Sequence, residues 1–166
     1  MSGLYLVVAL VAAQRLGELV WARRNERRLR AEGAIEAGAG HYPFFVVLHA
    51  AWLAAILLLV PPDTAPNAGL LAAYLVVQGL RLWTMLSLGR FWTTRILTLS
   101  SAPLVRRGPY RWLRHPNYVV VTVEMALLPL VFGAVWIAAL FSLANLALLA
   151  IRIRAENAAL APRREL

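Results

Sequence analysis

The sequence predicts an all-α integral membrane protein of five transmembrane helices. The N-terminus is expected outside, the C-terminus in the cytoplasm, and the last two helices in a tight hairpin. Composition is the first observation behind this. The 166 residues are 61% hydrophobic and only 15% charged, whereas a soluble domain is about half apolar and a quarter charged. Mean hydropathy is +0.66. Length is the second. A crossing takes about 20 apolar residues, so five use about 100, roughly 60% of the chain. That predicts one membrane-embedded domain over residues 1–166 and leaves no room for a separate soluble catalytic domain such as a nucleotide-binding α/β sheet. The placement of arginine is the third, and it emerges element by element.

Span one is read from Gly3 to Ala22, followed by Arg23, Arg24, Arg27, Arg28 and Arg30. No basic region precedes it and no small-residue cleavage pattern follows, so it reads as a retained span and not a signal peptide. Span two runs from Pro43 to Val60 and is stopped by Pro61-Pro62. Span three runs from Asn67 to Leu88 and ends at Gly89. A basic stretch from Arg90 to His115 follows, carrying Arg95, Arg106, Arg107, Arg111 and Arg114 and interrupted by Pro103 and Gly108-Pro109. The apolar run Pro116 to Ile151 is too long for one crossing. It is expected to break near Phe132-Gly133, with Pro129 kinking the end of span four. Arg152, Arg154, Arg163 and Arg164 follow span five. The turns after spans two and four hold no arginine, so loop arginines alternate sides, and the positive-inside rule sets the orientation.

The net charge of +9 and pI near 11.4 are thereby explained by topology, without a nucleic-acid partner. All 17 basic residues are arginine, and no cysteine is present. The latter excludes disulfides, thiolate metal sites and thiol nucleophiles. No metal site is expected.

Ionisable groups inside spans are expensive and mark function by default. At 1.5 Å rise per residue, Arg15, His49, Arg81, Glu124 and Asn145 each lie roughly 9–12 Å from the cytoplasmic end of their helix. Gln14, Glu18 and Gln78 fall near the same layer. The outer half is almost wholly apolar. One reading pairs these groups to hold the bundle, Arg15 with Glu18 three residues on and Arg81 with Glu124 across helices. The other makes them a polar pocket open to the cytoplasm. Both hold if pairs frame a pocket.

The densest motif is Gly108-Pro109-Tyr110-Arg111-Trp112-Leu113-Arg114-His115-Pro116-Asn117-Tyr118. Gly-Pro is a turn, and Pro116 suits the first turn of a helix, where its missing N–H is harmless. Tyr110, Trp112 and Tyr118 suit the interface belt. His115 stands at a helix N-terminus, which favours anions such as a carboxylate. A second cluster, Ile151-Arg152-Ile153-Arg154-Ala155-Glu156-Asn157, ends span five. Its Arg and Glu side chains suit a ligand bearing both carboxylate and amino groups. Alternatively, these residues are a membrane entry and a set of topology charges.

Arg114-His115-Pro116-Asn117-Tyr118, followed by Arg152-Ile153-Arg154-Ala155-Glu156, resembles the isoprenylcysteine carboxyl methyltransferase family of integral membrane enzymes. Gly33-Ala34-Ile35-Glu36 with His41-Tyr42-Pro43, and Leu88-Gly89-Arg90-Phe91-Trp92-Thr93-Thr94, resemble its bacterial branch that includes alkylpyrone O-methyltransferases. The resemblance implies S-adenosyl-L-methionine as cofactor, held by Arg114, His115, Pro116, Tyr118, Arg152, Glu156 and Asn157. It implies Trp92, Glu124 and Tyr110 facing the acceptor, with Arg154 or Arg81 orienting the acceptor anion. Asn157 stands where the family usually has a second glutamate.

A carboxylate or acidic hydroxyl is already anionic at neutral pH, so methyl transfer needs positioning and desolvation more than a base. The expected reaction is methylation of a lipophilic small molecule, isoprenylcysteine-like or alkylpyrone-like. The expected setting is the lipids of a bacterial inner membrane, with the active site facing the cytoplasm. Phospholipid amine N-methylation is an alternative, although an amine acceptor favours acidic or aromatic pockets over arginine. A nicotinamide-dependent sterol-type reductase and a non-enzymatic bundle are further alternatives.

Overall fold

The computed structural model describes residues 2–100 and 102–164, the side chains of Arg163 and Arg164 excepted. Five α-helices carry the fold: α1 (Gly3–Ala31), α2 (Tyr42–Leu59), α3 (Ala68–Leu88), α4 (Pro116–Val131) and α5 (Val135–Leu160). Local chemistry starts and stops them. Ser2 caps α1 by accepting from the Tyr5 N–H. Asn67 caps α3 through Oδ1, 3.0 Å from the Leu70 N–H. Pro43 and Pro116 occupy first-turn positions of α2 and α4, where no intrahelical N–H is needed.

The hairpin between α4 and α5 is three residues long. The Ala134 N–H reaches the Pro129 carbonyl and the Gly133 N–H the Leu130 carbonyl, both at 3.0 Å. That is the Schellman closure of a helix C-terminus, and it places Gly133 at φ +69, a backbone region that a side chain disfavours.

Among the described residues, four helices are long and apolar enough to cross a membrane, and α4, with 16 residues, is shorter. Large apolar side chains cover the outside. Leu16, Val20, Leu58, Leu75, Trp136 and Leu143 are all exposed, as lipid-facing residues are. An apolar core fills one end of the bundle, from Leu4, Val8 and Val11 of α1 through Trp52, Ile56 and Tyr74 to Met125 and Leu128. Trp52 reaches across to donate to the Met125 carbonyl at 3.2 Å.

Two features go beyond the elements expected from sequence. Helix α1 continues nine residues past Ala22, through the basic run. Its buried stripe of Glu18, Ala22, Asn25 and Leu29 keeps helical spacing, so the arginines lie on the exposed face of one continuous helix. The second departure is a short antiparallel ribbon. β1 (Ile35–Ala37) pairs with β2 (Ile96–Thr98), Glu36 opposite Leu97. Glu36 is ion-paired with Arg30 and, at 2.6 Å, with Arg95. These arginines hold its carboxyl below its usual range against the opposing effect of burial.

Candidate functional site

A cavity of about 610 Å³ opens at the arginine-rich end of the bundle. Three segments wall it: Leu88–Leu97, the loop from Leu104 to Tyr118, and the last turns of α5. Helix α1 holds the first wall in place. Asn25 Nδ2 donates to the Gly89 and Trp92 carbonyls at 3.0 and 2.9 Å. Glu26 Oε1 accepts from the Thr94 N–H at 3.1 Å and the Thr94 hydroxyl at 2.9 Å. The turn at Gly108 sets the second wall close on α3. Its φ is +56, and a Cβ there would stand 2.0 Å from Ser87 Oγ, so the close approach needs glycine.

The two sequence motifs meet in this cavity. Tyr118 Oη accepts from Arg152 Nε at 2.8 Å and donates to Glu156. His115 Nδ1 lies 3.6 Å from Glu156 Oε1, and its Nε2 lies 3.2 Å from Asn157 Oδ1. The rings of His115 and Tyr118 stack, with centroids 5.3 Å apart. Glu156 raises the His115 pKa above its ordinary value, against desolvation and the Arg114 charge. Arg152 also donates to the Thr94 carbonyl at 2.8 Å, tying α5 to the first wall.

Arg114, His115, Tyr118, Arg152, Glu156 and Asn157 all line the cavity, as do Tyr110 and Trp92. Pro116 does not; it is buried at the start of α4 and positions its neighbours. Arg154 is exposed on α5 and is not among the lining residues. Arg81 and Glu124 are likewise not in the wall.

Those two belong to a buried network outside its lining. Arg81 grips Glu18 with Nε at 2.7 Å and Nη2 at 2.6 Å, and Glu124 with Nη1 at 3.0 Å. Arg15 reaches Glu18 at 3.0 Å and Glu124 at 2.9 Å. Gln14 bridges Glu18 and Gln78, and Gln78 donates to Glu124 at 2.8 Å. Two arginines face two glutamates, so the cluster is electrically neutral and ties α1, α3 and α4 together. The charges therefore pair, as the first reading of the polar layer has it; none of that layer's residues lines the cavity, and Arg81 touches its wall only through Trp92, whose ring lies 5.8 Å from Arg81 Cζ. His49 instead bonds its own helix, Nδ1 to the Phe45 carbonyl at 2.8 Å. Asn145 is fully buried on α5.

Sequence reasoning missed Asn25, Glu26, Thr94 and Arg95, which build the first wall. It also left Asn117 out of the site. Asn117 lines the cavity, and its Oδ1 is buried without a hydrogen-bond partner among the described residues. The helical stripe running through Asn25 was the available signal for the first group.

The sequence profile of the isoprenylcysteine carboxyl methyltransferase (ICMT) family matches residues 70–162, more than half of the chain. The chain is 41% identical over 160 residues to the uncharacterized protein YpbQ of Bacillus subtilis, covering 94% of this chain and 95% of that one. It is 27% identical over 160 residues to an uncharacterized protein of Haemophilus influenzae, covering 93% of each. No solved structure matches the chain. The chain belongs to the isoprenylcysteine carboxyl methyltransferase family and is a membrane methyltransferase.

Proposed function

We propose that this member of the isoprenylcysteine carboxyl methyltransferase family transfers a methyl group from S-adenosyl-L-methionine to a carboxylate or acidic hydroxyl of a lipophilic acceptor. The convergence of Arg114, His115, Tyr118, Arg152 and Glu156 on one cavity carries the reading. Its volume, about 610 Å³, falls in the range of small-molecule sites. The donor set fits the cofactor. Glu156 and the unpartnered Asn117 Oδ1 are acceptors for amino groups. Arg114, His115 and the N-terminus of α4 suit a carboxylate, and the face of Tyr110 suits a cation.

Bound there, the cofactor supplies an electrophilic methyl group on a sulfonium. The chain's part is to bind, orient and exclude water. Arg152, committed to Tyr118 and Thr94, keeps the Glu156–Tyr118–His115 set rigid. Arg95, Arg106, Arg111, Arg114 and Arg152 line the cavity against one glutamate. This balance favours an anionic acceptor over a phospholipid amine. No general base is required of a group already ionised.

All 166 residues act as one membrane-embedded domain in this reading, with five crossings, the N-terminus outside and the cavity on the cytoplasmic side of a bacterial inner membrane. A 16-residue α4 is about 24 Å long, short of the roughly 30 Å hydrocarbon core, and the shortfall is met by local thinning. The test is calorimetry with S-adenosylmethionine on the detergent-purified protein, followed by incubation of membranes with methyl-labelled cofactor. Label in an organic-soluble product that alkali releases identifies an ester. Stable label on a lipid amine, or no cofactor binding, refutes the assignment.

A further inference from the structure

Neither arginine expected to orient the acceptor anion lines the cavity, so another group must meet it. Of the arginines that do line it, Arg152 is committed to Tyr118 and Thr94. Arg106, Arg111 and Arg114 are exposed, where water screens them. Arg95 differs from all of these. It lines the cavity with 34% of its side chain exposed, so it meets solvent there, yet its position is fixed. Nη1 donates to Glu36 Oε1 at 2.6 Å. The guanidinium lies over the Tyr42 ring, with Cζ 4.4 Å from the centroid. The backbone is pinned as well: its N–H donates to Glu26 at 3.3 Å, and its carbonyl accepts from the Thr93 hydroxyl at 2.7 Å. Nε and Nη2, which form the other edge of the guanidinium, make no hydrogen bond among the described residues.

We propose that Arg95 is the acceptor-binding residue, its Nε–Nη2 edge donating to the oxygens of the acceptor anion, and that Glu36 is the positioning residue that fixes this edge and tempers its charge. The proposal rests on the methyltransferase reading above and names the residue that selects the acceptor. It also gives the β1–β2 ribbon a purpose. The ribbon sets Glu36 opposite Leu97, two residues beyond Arg95, and the Glu36 carboxylate binds Arg95 and Arg30 together. The site is joined to the cofactor set. Arg152 donates both to the Thr94 carbonyl, at the Arg95 peptide bond, and to Tyr118, which bonds Glu156. Arg152 thereby ties the Arg95 backbone to the residues proposed for S-adenosylmethionine.

The Nε–Nη2 edge offers two parallel donors, which match the two oxygens of a carboxylate. Each oxygen keeps a lone pair for reaction. One of them forms the new O–CH₃ bond while the C–S electron pair departs with sulfur, and no proton moves. The acceptor loses its negative charge as that bond forms. A cation that held the anion at full strength would therefore stabilise the starting state more than the transition state and slow the step. Glu36 already neutralises part of the Arg95 charge, so two hydrogen bonds orient the acceptor while charge holds it only loosely. An amine acceptor gains nothing from this edge, which has donors only.

The test uses the full-length protein in detergent. Calorimetry compares N-acetyl-S-farnesylcysteine and a long-chain hydroxy-pyrone with the methyl ester or methyl ether of each, which has no anion. The wild type should bind at least one anion more tightly than its methylated form. Arg95→Gln should abolish that preference through a roughly 10- to 100-fold loss of affinity for the anion, the effect of hydrogen bonds to a charged group, with S-adenosylmethionine affinity unchanged. Arg95→Lys, which keeps the charge without the fork, should recover part of the loss. Glu36→Gln separates this role from one of merely holding the ribbon. It breaks the same ion pair but leaves Arg95 fully charged, so it should bind the anion more tightly and lower KM and kcat together, whereas Arg95→Gln raises KM. If Arg95→Gln does not fold, the Glu36→Gln result decides alone. A wild type without the preference, a preference that survives in Arg95→Gln, or anion binding unchanged or weakened in Glu36→Gln overturns the role of Arg95 and leaves the methyltransferase reading standing. Absence of cofactor binding and methyl transfer in the wild type overturns both.

Discussion

Replacing Glu124 by leucine tests the neutral buried network directly. Glu124 is 2% exposed. It accepts from Arg81 at 3.0 Å, Arg15 at 2.9 Å and Gln78 at 2.8 Å. Without it, two guanidinium groups share Glu18, and the interior carries an uncompensated positive charge. Breaking a buried ion pair from one side costs about 3–5 kcal/mol. Polar groups also find partners in the unfolded state within a micelle, which lowers the cost, so about 3 kcal/mol is expected. For a chain of this size that lowers Tm by roughly 6–12 °C. Arg15→Met alone should cost a similar amount, because it strands part of Glu18 and Glu124. The double variant returns the site to neutrality, Arg81 with Glu18. Its loss should therefore fall short of the sum of the single losses by at least about 1.5 kcal/mol. The assay is thermal unfolding in one detergent, arranged as a double-mutant cycle. Losses that add within about 0.5 kcal/mol would refute the pairing and the argument built on it.

Glu156→Gln should weaken S-adenosylmethionine binding about tenfold by calorimetry while leaving Tm nearly unchanged at a pH where His115 is neutral, since Tyr118 and His115 still find an oxygen to bond. The His115 pKa is raised above 6.5, first by its bond to Glu156. The stability from that pair is complete below the ordinary value and is lost as pH rises through the folded one. Tm should therefore fall as pH is raised from 6.5, and His115→Gln should flatten that slope; an equal slope in both proteins would count against the pair. Gly108→Ala should lower Tm, both because its φ is +56 and because the new Cβ meets Ser87. Adding Ser87→Gly should restore the part due to the clash, about 1 kcal/mol, and no recovery would contradict the close approach.

The helices were legible because lipid and helix geometry act on local sequence. Apolar runs stop at Pro61, Gly89 and Gly133, and the span boundaries read from them agree with α2 and α3 to within a residue. The hairpin at Phe132-Gly133 was legible for the same reason: Gly133 completes a closure made entirely of neighbouring residues. Helix α1 extends past the span read at Gly3–Ala22: the apolar run ends at the first arginine, while the buried stripe carries on to Leu29. The ribbon was not legible. Ile35–Ala37 and Ile96–Thr98 are three residues each, too short for a period-two pattern, and each is a strand only because the other lies beside it.

The sequence by itself determined that this chain is apolar enough for a membrane, that polar residues recur at one depth of its helices, and that Arg, His, Tyr and Glu concentrate in two motifs. Each of these depends on residues near one another in the chain. Tertiary structure decided which charges neutralise which. Arg81 meets Glu18 across 63 positions and Glu124 across 43, and those meetings depend on the rotation of each helix against its neighbours. The same packing separates residues that look alike in sequence. Arg152 and Arg154 are two positions apart on α5, yet their side chains leave the helix about 200° apart. One binds Tyr118 in the cavity wall and the other faces outward.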